Sequence, residues 1–247
     1  VVMLGLGLDE WADSSNANWR RTRTLSQFFI GAGVPDSQVL LLDDESGHPD
    51  LMRQILPAFL ARSNKESLLF FYYTGHGKSV DDHFYFCHPG STSWVSDFEL
   101  FNSIEENFNG PQAVLFADCC FSGSLVERAK SRNTNISYAV MASSVRAEES
   151  TGNWTFTDCL IAALTGNANV DWDGDGINTF SELVRHTTQV MRDTEDQWVD
   201  YGFDAGFDVL FKLAKVNRSI YRQEFSGFAQ KKVTMIDTNL LQRASTF

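Results

Sequence analysis

The chain has 247 residues, enough for one large domain or two small ones, and its 43% hydrophobic content is sufficient for a sizeable core. Thirty-two acidic residues against 20 Lys plus Arg give a net charge of −12, which excludes the basic face that nucleic-acid phosphates require and favours basic substrates. No segment reaches the roughly 20 apolar residues of a membrane helix, and the opening VVMLGLGLDE carries no basic stretch before its apolar run, so no membrane partner is expected.

In chain order, VVMLGLGL reads as a short apolar strand, and residues from Trp19 to Ala32 place Leu25, Phe28 and Phe29 at helical spacing. QVLLLDD follows as a second strand, Leu51 to Ala61 as an amphipathic helix, and LLFFYYT as a third strand. Leu100 to Phe108 reads as a helix, AVLFADC and YAVMASS as the fourth and fifth strands, Phe156 to Leu164 as another helix, and FDVLFKL as a final strand. Strands that are apolar on both faces and separated by helices predict an α/β fold, a mostly parallel sheet with helices on both faces. No repeat or low-complexity segment interrupts residues 1–214, which are expected to form the main domain. From Lys215 the composition turns polar, so residues 215–247 are expected to be a C-terminal extension.

Two of these strands end in reactive side chains. LLFFYYTGHG delivers His76, and AVLFADCCFSG delivers Cys120. In parallel sheets, functional groups collect beyond the carboxyl ends of the strands. Glycines around His76 would let the backbone turn sharply, leaving the ring free to project. Each motif alone is weak: a histidine beside glycines is commonly a loop residue, and a cysteine in an apolar segment is commonly an inert core thiol. Together and in order, 44 residues apart, they match a thiol nucleophile with an imidazole base. The four cysteines, Cys87, Cys119, Cys120 and Cys159, show no disulfide framework, which suits a reducing compartment; a cytoplasmic protein is expected.

The chain resembles the caspase and metacaspase cysteine peptidases over most of its length. The family's His-Gly after an apolar strand is matched by FFYYTGHG, and its Asp-x-Cys-x-Ser-Gly nucleophile element by DCCFSG. AVMASSVRAEES matches the following strand and Ser-containing turn, and GNWTFTDCLIAALTG the next helix. Two positions depart from the metacaspase pattern: Phe121 stands where a His is usual, and ADSSNANW contains no clear Asn-Asp element. The resemblance implies a caspase-like three-layer sandwich, with Cys120 as nucleophile and His76 as general base. It further implies an oxyanion site at the backbone N–H groups of Cys120 and Gly77, and chemistry that requires no cofactor.

Asp118, two residues before the thiol, sides with metacaspases, whose pocket takes Arg or Lys, against caspases, which carry Gln there and take Asp. A carboxylate facing the substrate pairs bidentately with guanidinium; the alternative is an Asp that caps the following turn. Asp9 and Asp13, after the first strand, and Ser143 and Ser144, after the fifth, are further candidates for the pocket wall. LVERAKSRNTN, read as an exposed loop, presents Arg128, Lys130 and Arg132, and the resemblance makes it a candidate self-cleavage segment.

VDWDGDGINTFSEL matches the calcium-loop pattern D-x-D-x-D-G-x5-E, with Asp171, Asp173, Asp175 and Glu182 at the oxygen-ligand positions. The competing account is a capping box in which Thr179 and Glu182 start the following helix. The expected protein is therefore a cysteine endopeptidase acting on proteins or peptides after Arg or Lys, with room for an activating protein partner. Its rivals are a catalytically silent caspase-like scaffold and a calcium-responsive regulatory domain.

Overall fold

A computed structural model describes the backbone of residues 2–8 and, with side chains, residues 21–81, 83–88 and 91–217 apart from the side chains of residues 44 and 45. The central sheet has the strand order β2-β1-β3-β6-β7-β9. These strands are β1 (Val2–Leu8), β2 (Val39–Asp43), β3 (Leu68–Val80), β6 (Gln112–Asp118), β7 (Ser137–Ala142) and β9 (Asp200–Phe203). All neighbours run parallel except β9, which closes the edge antiparallel to β7. A small ribbon of β4 (His83–Cys87) and β5 (Val95–Ser96) extends from the end of β3.

Two cores sandwich this sheet, and the period-2 alternation of the strands sorts residues between them. Leu69, Phe71 and Tyr73 of β3 join Leu115 and Val140 beneath α2 (Pro49–Leu60), α3 (Asp97–Asn107) and α4 (Ser124–Lys130). Phe70 and Tyr72 join Phe116 and Met141 beneath α1 (Arg21–Gly31), α5 (Thr155–Leu164) and α6 (Phe180–Glu195). Because both faces are covered, β3 and β6 read as continuous apolar runs in the sequence. Among the described residues no helix is long and apolar enough to cross a membrane.

Three expectations are corrected. The Gly-His-Gly segment is no turn: β3 continues through it, leaving β6 after Thr74 and pairing antiparallel with β4 from His76 to Val80. Gly75 makes the departure with φ 144°, a conformation that side-chain-bearing residues rarely adopt. The stretch after the nucleophile is the helix α4 rather than an exposed loop. FDVLFKL is mostly turn, closed by Phe211 N–H donating to Asp208 O, and only Lys212–Lys215 forms a strand, β10, paired with β8 (Ile177–Thr179). The expected boundary at residue 215 thus falls inside a strand, and Asn217 N–H still donates to Gly166 O. Residues 218–247, like Asp9 and Asp13, lie outside the described residues.

Candidate active site

β3 and β6 are adjacent, and their register sets Thr74 beside Asp118 at the carboxyl edge of the sheet. Beyond that edge the two chains stay in contact. A Cβ on Gly77 would fall 2.1 Å from the Cys120 carbonyl oxygen and 2.8 Å from the Phe84 ring, so only glycine lets the segment after His76 lie against the Cys120 turn. The Tyr73 hydroxyl donates to His76 O at 2.7 Å and fixes the backbone of that segment. Cys87 stands opposite His76 in the β3–β4 ribbon, its thiol pushed up to about 11 by burial, which disqualifies it as a nucleophile.

The turn that presents Cys120 is tightly held. Phe121 has φ 58°, an unfavourable left-handed conformation for an aromatic residue, and its N–H donates to Glu148 O at 2.8 Å. Gly123 is needed because a Cβ there would meet Arg146 N at 2.5 Å. The Ser122 and Ser144 hydroxyls lie 3.2 Å apart, and Ser144 Oγ donates to Cys119 O. Ser144 is therefore fully buried in the clasp that ties the turn to the loop after β7. Cys119 points into the core, and burial, with Asp118 adding to it, pushes its thiol well up, whereas Cys120 is half-buried. The Cys120 sulfur accepts the Ser150 N–H at 3.3 Å.

Asp118 closes β6 as a buried carboxylate, 8% exposed. Burial raises its pKa to about 6, with hydrogen bonds from Thr157 and Ser143 working in the opposite direction. Thr157 Oγ1 donates to Asp118 Oδ2 at 2.5 Å and lies 2.7 Å from the Tyr72 hydroxyl. The Ser143 hydroxyl is 2.9 Å from that of Ser150. One buried polar chain therefore runs from Tyr72 through Thr157, Asp118 and Ser143 to the residue that touches the nucleophile. Tyr72, Ser150 and Thr157 lie within FFYYTGHG, AVMASSVRAEES and GNWTFTDCLIAALTG, and none of the three motifs marks them for a role.

Two of the three basic residues after the nucleophile are anchored. Arg128 Nε donates to Asp97 Oδ2 at 2.8 Å, and Arg132 reaches Glu105 and Asn102; Lys130, in the last turn of α4, is exposed.

In the acidic loop, the carboxylate oxygens of Asp171, Asp173 and Asp175 converge within 4.8 Å of one another. Gly176, at φ 87°, makes the turn. The capping box forms as well: Glu182 Oε2 accepts from Thr179 N–H, and Oε1 accepts from Trp172 N–H at 2.8 Å. Glu182 is thus committed to the backbone; the aspartates also accept backbone N–H groups, Asp171 from Gly174 and Gly176, Asp173 from Asp175 and Asp175 from Ile177, and their converging carboxylates are the hard oxygen donors that suit calcium.

The family model described as "Caspase domain" matches residues 23–244. The chain belongs to this family. Caspase-domain proteins are in general cysteine peptidases, and both reactive elements fall inside the matched span. No curated protein matches. Among solved structures, the chain is similar to protein GSU0716 from Geobacter sulfurreducens, with 12% identity and a TM-score of 0.60, covering 88% of this chain and 100% of that one. At that identity the likeness speaks for the caspase-domain fold alone.

Proposed function

We propose that this caspase-domain protein is a cysteine endopeptidase that hydrolyses peptide bonds after Arg or Lys. The observation that carries the reading is the packing of the His76–Gly77 segment against the Cys120 turn, with the buried carboxylate of Asp118 two residues before the thiol. His76 takes the Cys120 proton, and the sulfur attacks the scissile carbonyl carbon. The resulting oxyanion is stabilised by backbone N–H groups at Cys120 and Gly77, each such donor being worth about 100- to 1000-fold in rate. As the intermediate collapses, the C–N bond breaks and the imidazolium protonates the leaving amine. Water, deprotonated by His76, then cleaves the thioester and returns the thiol. Asp118 pairs with the guanidinium or ammonium of the residue before the scissile bond. Self-processing is proposed after one of Arg128, Lys130 and Arg132: the first two lie within α4, and Arg132, just past its end, is held by Glu105 and Asn102.

The test is hydrolysis of fluorogenic peptides ending in Arg, Lys or Asp by the protein and its Cys120→Ala variant. Cleavage after Arg or Lys that vanishes in the variant is expected. Cleavage after Asp would refute the role of Asp118, and silence towards all peptides together with no labelling of Cys120 by a thiol-reactive peptide would favour a scaffold.

A second, separable reading is favoured by the convergence of Asp171, Asp173 and Asp175: the loop binds calcium. It concerns ion binding at the start of α6 and takes no part in the chemistry at Cys120.

A further inference from the structure

The loop after β7 passes in front of the nucleophile, and one buried side chain holds it there. Gln197, beyond the end of α6 and 4% exposed, uses both ends of its amide on this loop. Its Oε1 accepts from Thr151 N–H at 3.0 Å, and its Nε2 donates to Glu149 O at 3.3 Å. These two contacts bracket Ser150, whose own N–H points at Cys120 Sγ across 3.3 Å. A donor aimed at sulfur favours the ionised over the protonated form.

We propose that Gln197 is a positioning residue for the nucleophile: by clamping the peptide groups on either side of Ser150, it holds the Ser150 N–H where it stabilises the Cys120 thiolate. The proposal deepens the peptidase reading and rests on Cys120 being its nucleophile, but it concerns the state of the sulfur whether or not any peptide is cut. Glutamine suits the task because it supplies one donor and one acceptor without charge, whereas Glu in the same place would set a second negative charge beside the thiolate. The neighbouring glutamate on α6, Glu195, makes a different contact: it accepts from the Asn153 amide at 2.9 Å and from the Thr155 hydroxyl, so it anchors the far end of the loop.

The experiment follows the rate of Cys120 alkylation by iodoacetamide against pH, with the label located by fragment mass spectrometry. The protein is compared with Gln197→Met, which keeps the bulk and removes both hydrogen bonds, and with Ser150→Ala, which keeps the N–H and removes the hydroxyl. The ionisable groups on the elements around this loop remain in every variant: His76 of β3, Cys87 of β4, Asp118 and Cys119 of β6 and its end, Arg146, Glu148 and Glu149 of the loop itself, and Glu195 of α6. An upward shift of the alkylation midpoint by about one pH unit in Gln197→Met, roughly tenfold less thiolate at neutral pH, with no comparable shift in Ser150→Ala, is the expected result. An unchanged midpoint in a folded Gln197→Met protein overturns the proposal. Should that variant fail to fold, amide hydrogen exchange at Ser150 decides. Slow exchange that becomes fast in Cys120→Ala supports the N–H to sulfur bond, and exchange indifferent to Cys120 refutes it. Failure to cleave peptides alongside the expected midpoint shift would count against the peptidase reading alone.

Discussion

The Thr157 hydroxyl donates to Asp118 Oδ2 across 2.5 Å, at a point where both side chains are buried. The bond opposes a desolvation large enough to lift the carboxyl pKa from its ordinary 3.8 to about 6. Because the folded-state value is the higher one, the folded protein holds a proton that the unfolded chain has released between these two pH values, and stability falls as pH rises through the window. The gap corresponds to ~3 kcal/mol of stability, present in full below pH 4 and lost well above pH 6. Asp118→Asn is expected to be more stable than the parent at pH 7 by ~1–3 kcal/mol, with the difference vanishing near pH 4, while losing cleavage after Arg. Urea unfolding at both pH values, beside peptide hydrolysis, measures the two effects together. Equal stability of the two proteins at pH 7 would show that Asp118 is not strained by burial.

Removing the Thr157 donor moves the same carboxyl upward. In Thr157→Val, Asp118 is expected to titrate closer to neutrality, so KM for an Arg peptide rises several-fold at pH 7 and recovers towards the parent value at pH 8. Thr157→Ser, which restores the hydroxyl, is expected to behave as the parent. A KM that is raised equally at both pH values would point to lost packing rather than to the ionisation of Asp118.

Gly77 is expected to tolerate no side chain. In Gly77→Ala the new methyl meets a backbone oxygen at 2.1 Å, which cannot move without displacing the Cys120 turn, so a loss of ~3 kcal/mol and of nucleophile labelling should occur together. Gly152→Ala serves as the control, because its Cβ has no neighbour within 4 Å. Thermal unfolding and thiol labelling of the two variants check this.

Strand identity and the two reactive residues were legible because burial on both faces leaves unbroken apolar runs, and because His76 and Cys120 end two such runs. The course of the chain beyond those ends was not. Gly75 suggested a turn, yet the same positive φ that permits a turn here lets β3 switch partners from β6 to β4. The α4 helix hid behind its charges, since Glu127, Arg128 and Lys130 look like a solvated loop until Asp97, distant in sequence, is seen to hold Arg128. Ser150 is only the unremarked last residue of AVMASSVRAEES, and Gln197 lies in no motif at all. Their roles come from a peptide N–H and a side-chain amide brought together over 46 residues, as in the Thr151–Gln197 bond, and nothing in local pattern encodes that.

Arg128 pairs with Asp97, whose side chain is 2% exposed. Arg128→Gln is expected to cost ~2 kcal/mol by leaving that carboxylate without its guanidinium, with no change in where the chain is self-processed. Lys130→Gln is expected to be neutral for stability, since Lys130 is exposed. Arg132→Gln is expected to suppress the self-cleavage fragment if processing follows Arg132, and fragment masses from the three single variants assign the bond. The same fragment from Arg132→Gln as from the parent would move the site elsewhere.

The acidic loop separates two roles that a sequence pattern merges. Glu182 accepts from the N–H groups of Trp172 and Thr179 and from the Thr179 hydroxyl, so Glu182→Ala is expected to destabilise the start of α6 by ~2 kcal/mol in chelator as much as in calcium. Asp173 instead accepts one bond, from Asp175 N–H to its Oδ1 at 3.0 Å, and supplies a carboxylate to the converging trio. Asp173→Asn keeps that bond and removes one oxygen and one negative charge from the trio, so it should leave stability in chelator unchanged while weakening calcium affinity at least tenfold. Calorimetric titration of calcium into the Cys120→Ala protein, with and without Asp173→Asn, measures the affinity without interference from proteolysis. Heat of binding that is absent from both would reduce the aspartates to a helix-terminal cluster stabilised by the N-terminal dipole of α6, and Glu182 would keep its capping role unchanged.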